Sequence, residues 1–180
     1  MARRTALVFP RLEDGGEIAH IRARFDPLAN LIAPHITLLF PFESPMSDAQ
    51  LQSVLRDALC EVKPFVLELR GVGRRSDAYG HWLFLRVTEG AEALRRIRRL
   101  LLDAGLPQTD ANALYMPHLT LGRLPTKEQL DAAYRELAGL DLSLHTVVDT
   151  VWAERIGPDR ESIRVASVGL AAVREAKNTL

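Results

Sequence analysis

The sequence predicts an α+β fold of two similar lobes, each an antiparallel sheet with helices on its outer face, around a central cleft. The first observation is a repeated pentapeptide, Pro-His-Ile-Thr-Leu at residues 34–38 and Pro-His-Leu-Thr-Leu at residues 117–121. The second is the order of predicted elements, which repeats along the chain. We therefore expect a single domain over residues 1–180, with two pseudo-two-fold-related lobes at approximately 1–82 and 83–180.

The elements follow from hydrophobic spacing and from residues that begin or end helices. Two capping boxes, Ser-Asp-Ala-Gln at 47–50 and Thr-Lys-Glu-Gln at 126–129, begin a helix after each pentapeptide. The predicted helices cover residues 17–25, 48–62, 91–104 and 127–138. The predicted strands cover residues 5–9, 34–40, 65–72, 81–87, 117–124 and 162–170, with one or two more in 140–155. We expect a turn-rich stretch at 71–80, a loop at 107–115 and a polar tail at the carboxyl end.

Each pentapeptide is typical of a strand that begins at its proline, where a missing N–H costs least. Side chains alternate between the faces of a strand, so the histidine and the threonine share one face while the aliphatic residues share the other. One face of each copy would therefore be buried in the core. The other would present an imidazole and a hydroxyl together.

Two such faces across a cleft suit acid–base chemistry on a phosphodiester. His35 and His118 could act as acid and base on one substrate, because imidazole titrates near neutrality. The hydroxyls of Thr37 and Thr120 could donate hydrogen bonds to the oxygens of an anion held between the rings. The residues alone leave open which histidine is the acid and which is the base.

Composition excludes several other classes of protein. The formal net charge is zero and Cys60 is the single cysteine, so neither a strongly basic nucleic-acid surface nor a disulfide or cysteine-based zinc framework is expected. The apolar run after the first residues is too short for a signal peptide, and no stretch approaches the length of a membrane span. We expect a soluble, cytoplasmic, monomeric protein that does not bind membranes.

The paired motifs resemble those of the 2H phosphoesterases, a family that includes the bacterial 2′-5′ RNA ligase-like proteins. The resemblance lies in His35-Ile36-Thr37-Leu38 and His118-Leu119-Thr120-Leu121 and extends over nearly the whole chain through the repeat. It implies hydrolysis of 2′,3′-cyclic phosphates at RNA or nucleotide ends without a metal or other cofactor, with reversible 2′-5′ ligation in some members.

The resemblance also implies further substrate contacts. Arg123, five residues after His118, matches an arginine that often follows the second motif and would bind the phosphate. Strict alternation points Arg123 away from His118, so this role requires the strand to bend, which Gly122 permits. Phe40 has the same offset from His35, although alternation places it in the core. Phe40, together with Tyr79 and Tyr115, is a candidate for stacking on a base.

Other interpretations compete with this one. A histidine metal site would need a third ligand, and the motifs contain no Asp or Glu. The arginines at 95–99 are most simply the solvated side of an amphipathic helix. The protein could be a binding module for RNA ends or nucleotides without catalysis, although such a module would not need both histidines. It could also carry out the same chemistry on a small molecule such as a cyclic phosphate of ADP-ribose, which zero net charge favours slightly.

Overall fold

Two four-stranded antiparallel sheets form the framework of the computed structural model, which describes residues 4–10, 12, 16–109, 114–159 and 161–171. The helices are α1 (Gly16–Phe25), α2 (Asp48–Leu59), α3 (Ala91–Asp103) and α4 (Lys127–Leu137). The strands are β1 (Arg4–Pro10), β2 (Leu39–Ser44), β3 (Phe65–Asp77), β4 (Gly80–Glu89), β5 (His118–Leu124), β6 (Ser143–Val148), β7 (Thr150–Ile156) and β8 (Ser162–Gly169). The predicted α+β class is confirmed.

The strand orders explain how the two motifs come to lie at equivalent places. One sheet runs β2-β1-β7-β8 and the other β5-β4-β3-β6. The first motif leads into β2 and the second lies in β5, and each of these strands is at the edge of its sheet. The sheets do not divide the chain at 82/83, because that point falls inside β4 and the first sheet takes strands from both ends of the chain. The lobe boundary expected from the repeat is therefore wrong. That the whole chain is one domain stays a prediction.

Helices cover the sheets through a continuous apolar core. Helix α2 packs on β8 and on α3, α1 packs on β5, and α4 lies against β3, β4 and β5. Both predicted helix starts are confirmed. Ser47 and Gln50 exchange side-chain-to-backbone hydrogen bonds of 3.2 and 2.8 Å, and the Thr126 hydroxyl accepts from the backbone N–H of Gln129 at 3.3 Å. Gly105 has the positive φ of +86° expected just after a helix.

Two predicted elements differ from the observed ones. The stretch 71–80 is not mainly a turn, because β3 runs on to Asp77 and pairs with β4 in a long hairpin. The polar and glycine residues there suggested a turn, whereas cross-strand partners in β4 keep them in the sheet. The first pentapeptide also precedes its strand, since β2 begins only at Leu39. In the part of the chain that the structure describes, no helix is long and apolar enough to cross a membrane.

Candidate functional site

The two pentapeptides present their side chains as alternation predicts. Ile36, Leu38, Leu119 and Leu121 are at most 1% exposed and belong to the core. The histidines and threonines between them are half-buried, His35 and Thr37 in one copy and His118 and Thr120 in the other. The apolar residues therefore hold each motif against the core while the reactive groups face outward.

Each imidazole is oriented by the same backbone hydrogen bond. The Nδ1 atom of His35 lies 2.9 Å from the carbonyl oxygen of Ala33, and that of His118 lies 2.8 Å from the carbonyl oxygen of Met116. A carbonyl oxygen only accepts, so Nδ1 carries the hydrogen in both rings. The nitrogen that gains or loses a proton is therefore Nε2 in each case.

An aromatic ring supports each imidazole. The ring of Phe9 in β1 lies 5.0 Å from that of His35, and the ring of Phe84 in β4 lies 5.1 Å from that of His118. Both contacts are tilted, at 45° and 52° between planes, a common arrangement for packed rings. Together with the backbone bonds, these contacts fix where each ring lies and how it is turned.

Burial makes both histidines weak bases in the free protein. The pKa of His35 is lowered from its ordinary value to about 4, mainly by desolvation and also by the charge of Arg22, against the opposing effect of its hydrogen bond to Ala33. Desolvation also lowers the pKa of His118, and the charge of Arg75 adds to this effect. His118 is close enough for its charge to lower the pKa of His35. Both rings are therefore neutral at pH 7 until an anion approaches.

A cavity of about 470 Å³ opens beside the second motif. Its lining brings together six residues singled out from the sequence, namely Thr37, Phe40, Tyr79, Tyr115, His118 and Arg123. His35 and Thr120 are not among the described residues that line it. Each of them lies two residues from a lining residue of the same motif: His35 from Thr37, and Thr120 from His118. Both pentapeptides thus contribute a residue to the cavity lining.

A β-bulge places Arg123 on the same face as His118. Leu83 lies opposite Gly122, but the next residue of β4, Phe84, lies opposite Thr120, so Leu121 is an extra residue in β5. Leu121 and Gly122 are both buried, and alternation resumes with Arg123 exposed on the cavity side. The bend that the arginine required is therefore present.

Gly122 lies at this bulge and also has a role in packing. A Cβ atom at this position would lie 2.6 Å from Cβ of Phe25 and 2.8 Å from its carbonyl oxygen. Only glycine lets the end of α1 approach β5 this closely. The residue is thus required for packing of the helix on the strand.

The first motif has a matching irregularity. Val8 lies opposite Leu39 while Ala6 lies opposite Phe42, so β2 also contains one extra residue. Phe40 is 38% exposed and lines the cavity. The expectation that Phe40 is a core residue is wrong, because Leu38 and Leu39 are both buried and alternation therefore breaks before Phe40. Phe40 and Arg123 occupy corresponding positions, five residues after His35 and His118.

Tyr115 joins the two motifs. Its hydroxyl donates to the carbonyl oxygen of Thr37 at 3.0 Å, and burial raises its pKa well above the usual range, so it stays protonated. The guanidinium of Arg98 lies 4.7 Å from the centre of the Tyr115 ring, and Arg98 donates to the carbonyl oxygen of Leu38. A base could therefore stack on Tyr115 only from the opposite face.

Arg98, Arg75 and Trp82 also line the cavity, and sequence reasoning did not select them. Arg98 is 7% exposed, so the interpretation of residues 95–99 as a uniformly solvated helix face is wrong at this position. The spacing held the signal, since Arg98 lies four residues after Leu94 and three before Leu101 on the buried side of α3. Arg75 lies in the stretch 71–80 that was expected to be turn-rich, whereas Trp82 lies in the strand predicted over 81–87.

The remaining histidines and the cysteine lie elsewhere. His20 and His145 are exposed, His81 bonds the Ser76 hydroxyl at 2.9 Å, and Cys60 is exposed at the end of α2. Among the described residues, no three His, Cys, Asp or Glu side chains come close enough together to hold a metal ion.

Comparisons with known proteins agree with this architecture. The chain matches a sequence model of the 2′-5′ RNA ligase superfamily over residues 10–159. A Geobacillus kaustophilus protein that carries the provisional name phosphoesterase is 32% identical over 152 residues, covering 79% of this chain and 82% of that one. A Bacillus cereus protein with the same provisional name is 28% identical over 120 residues, covering 65% and 67%.

Solved structures show the same fold at low sequence identity. Escherichia coli LigT, in a structure complexed with 3′-AMP, superposes with a TM-score of 0.64 at 18% identity, over 94% of this chain and 99% of LigT. A Thermus thermophilus protein, TT0787, gives a TM-score of 0.64 at 16% identity, over 96% of this chain and 100% of that one.

Proposed function

The chain belongs to the 2′-5′ RNA ligase superfamily, and on that premise we propose that it hydrolyses 2′,3′-cyclic phosphates at RNA or nucleotide ends without a metal ion. The observation that carries the proposal is the paired anchoring of His35 and His118. Each ring is bonded through Nδ1 to a backbone carbonyl, which leaves Nε2 for proton transfer. Two such nitrogens on one phosphate provide a base and an acid.

In the proposed reaction, one neutral imidazole removes a proton from water as the water oxygen forms a bond to phosphorus. The bond from phosphorus to one ribose oxygen breaks, and the other imidazole, which is protonated when the phosphate is bound, gives its proton to that oxygen. Both imidazoles are neutral in the free protein, so either can serve as the base, and the phosphate charge raises the pKa of the one that becomes the acid.

We place Thr37 and Thr120 on the phosphate that reacts, and Arg123 on a phosphoryl group of the same substrate. The two hydroxyls flank the histidines on the same face of each motif, where they can donate to non-bridging oxygens. Arg123 stays in this group because the bulge in β5 places it on the cavity face. Phe40 and Tyr79, which are 38% and 70% exposed at the cavity, are the aromatic rings we propose for the base.

The size of the cavity favours a nucleotide-sized substrate as a specific form of this function. A volume of about 470 Å³ lies within the range of small-molecule sites. LigT structures described as complexes with 3′-AMP and with ATP show that this fold binds nucleotides in that protein. A short RNA end, a free cyclic nucleotide and a cyclic phosphate of ADP-ribose would each present such a group.

A substrate panel in excess EDTA tests the proposal. The panel contains adenosine 2′,3′-cyclic monophosphate, an RNA oligonucleotide with a 2′,3′-cyclic phosphate end and a cyclic phosphate of ADP-ribose. We expect turnover of at least one, unchanged by the chelator. Binding of the panel without turnover would favour the non-catalytic module. Loss of activity with EDTA and recovery with one divalent ion would contradict the metal-independent mechanism.

A further inference from the structure

The cavity contains more positive charge than the proposed reaction at one phosphate uses. Guanidinium groups of Arg75, Arg98 and Arg123 line it, and among the described lining residues Asp77 alone carries a carboxylate. Arg98 is committed to the backbone of Leu38 and to the ring of Tyr115, which holds the motifs together. Arg75 and Arg123 remain as exposed cationic groups of the cavity lining.

The register of the second sheet places these two arginines in one row. Arg75 of β3 lies opposite Trp82 of β4, and Trp82 lies opposite Arg123 of β5. Phe84 lies two residues further along β4 and pairs with Thr120. Side chains two residues apart share a face, so both rows point toward the cavity. The sheet therefore presents two neighbouring rows of side chains. One row contains Phe84 and Thr120 and is called the threonine row; the other contains Arg75, Trp82 and Arg123 and is called the arginine row.

The spacing of the rows matches one nucleotide unit. Two residues of strand advance about 6.6 Å, which is about the span of one ribose from its 3′-phosphoryl to its 5′-phosphoryl group. The Arg123 guanidinium points away from the threonine row, because it lies 4.9 Å from the centre of the Trp82 ring and donates to the Tyr79 carbonyl at 2.9 Å. The positive charge of Arg123 thus lies about the span of one ribose away from the phosphate that reacts.

Arg75 is held at this place by the hairpin itself. Its Nε atom lies 2.9 Å from Oδ2 of Asp77, and Oδ1 of Asp77 accepts from the backbone N–H of Tyr79 at 2.9 Å and from Nε1 of Trp82 at 3.4 Å. The carboxylate therefore fixes the hairpin turn, the indole and the arginine together. This contact is made through Nε, and the planar guanidinium carries two further nitrogens that can donate to an anion.

We propose that Arg75 and Arg123 form a second phosphate-binding site, which takes the 5′-phosphoryl or internucleotide phosphoryl group of the nucleotide whose cyclic phosphate reacts. This inference rests on the proposed function and narrows its substrate class. The preferred substrate carries two phosphoryl groups separated by one ribose. A nucleoside 2′,3′-cyclic phosphate without a 5′-phosphoryl group makes phosphate contacts only at the threonine row.

Binding measurements on two inert nucleotides test this site directly. Isothermal titration at fixed ionic strength compares adenosine 3′-monophosphate with adenosine 3′,5′-bisphosphate. We expect the native protein to bind the bisphosphate about tenfold more tightly, as suits a charge-assisted contact from arginine. In the Arg75→Gln variant this preference should fall to about twofold, with the affinity for the monophosphate nearly unchanged.

Arg74 supplies the matched control. It is the preceding residue of the same strand, but it pairs with Asp131 at 2.7 Å and stacks on Tyr134 at 4.3 Å, outside the cavity lining. Arg74→Gln should therefore retain the full preference for the bisphosphate. Equal affinity of the native protein for the two nucleotides, no measurable binding of the bisphosphate, or a full preference in Arg75→Gln would overturn the inference.

The binding assay also separates this inference from the proposed function. If the protein turned over no cyclic phosphate but preferred the bisphosphate through Arg75, the reaction would be wrong and the second site right. If cyclic phosphates were hydrolysed equally with and without a 5′-phosphoryl group, and the two inert nucleotides bound equally, the reaction would stand and the second site would be wrong.

Discussion

The two histidine motifs are alike in their internal geometry and unlike in their surroundings. In both, Nδ1 is bonded to the carbonyl oxygen two residues before the histidine, at 2.9 Å for His35 and 2.8 Å for His118. A phenylalanine of the adjacent strand packs on each ring, and a bulge follows each motif. These shared features follow from the repeated sequence and from equivalent positions at the edge of a sheet.

The surroundings differ in solvent and in charge. His118 lines the cavity, with Arg75 as a nearby charge. His35 is influenced by Arg22 and Asp26, a buried ion pair of 2.7 Å whose arginine also donates to the carbonyl of Ile32, just before the motif. The motif thus sets the orientation of each imidazole, whereas burial and the neighbouring charges lower its pKa.

Removal of either imidazole should have the largest effect on turnover. His35→Ala and His118→Ala should each lower kcat by about 10²–10⁴, since each deletes one proton-transfer group. His145→Ala, which alters an exposed histidine of β6, is the control and should leave kcat unchanged. Rates are compared at saturating cyclic phosphate, with circular dichroism to establish folding. Activity close to that of the native protein in either variant would show that the motifs are not a catalytic pair.

Loss of a threonine hydroxyl should have the next largest effect and tests how symmetric the two motifs are. Thr37→Val and Thr120→Val preserve shape and remove one donor to a charged group, which should cost about 1.5–3 kcal/mol in kcat/KM. Similar losses would indicate that the phosphate lies evenly between the motifs. A loss confined to one variant would place the phosphate against that motif alone, and no loss in either would remove the hydroxyls from the site.

Removal of the link between the motifs should have a smaller effect. Tyr115→Phe deletes the hydroxyl that donates to Thr37, and a neutral hydrogen bond of this kind contributes about 1 kcal/mol. We expect kcat to fall about fivefold with KM little changed, because the first motif is positioned less well. Tyr134→Phe is a matched control, since Tyr134 also stacks with an arginine but lies on α4. Equal kinetics for the two variants would limit Tyr115 to a packing role.

Much of this arrangement was predictable because it depends on local pattern. Alternation identified which residues of each motif are buried, and the capping boxes marked where α2 and α4 begin. These features involve residues a few positions apart, whose energetics depend little on the rest of the chain. The family resemblance to the 2′-5′ RNA ligase-like proteins is confirmed by the match over residues 10–159.

The features that were missed depend on contacts between distant segments. The bulge that turns Arg123 toward the cavity arises from register between strands, and Phe40 is exposed because Leu38 and Leu39 are both buried; alternation within one strand predicts neither feature. Arg98 is buried because it meets a backbone carbonyl sixty positions away and a tyrosine ring. The division of strands between the sheets likewise follows from pairing of both chain ends, so the boundary at 82/83 could not be corrected from the repeat alone.

The most direct test of the account is the titration of the two imidazoles by NMR, with and without inorganic phosphate. The free protein should show both Cε1–H resonances titrating below the ordinary value of 6.5, with the pKa of His35 near 4, because burial disfavours the charged rings. A phosphate anion between the rings favours their charged forms, so both pKa values should rise together when phosphate is added. A rise at only one histidine, or at neither, would contradict the claim that both act on the same phosphate.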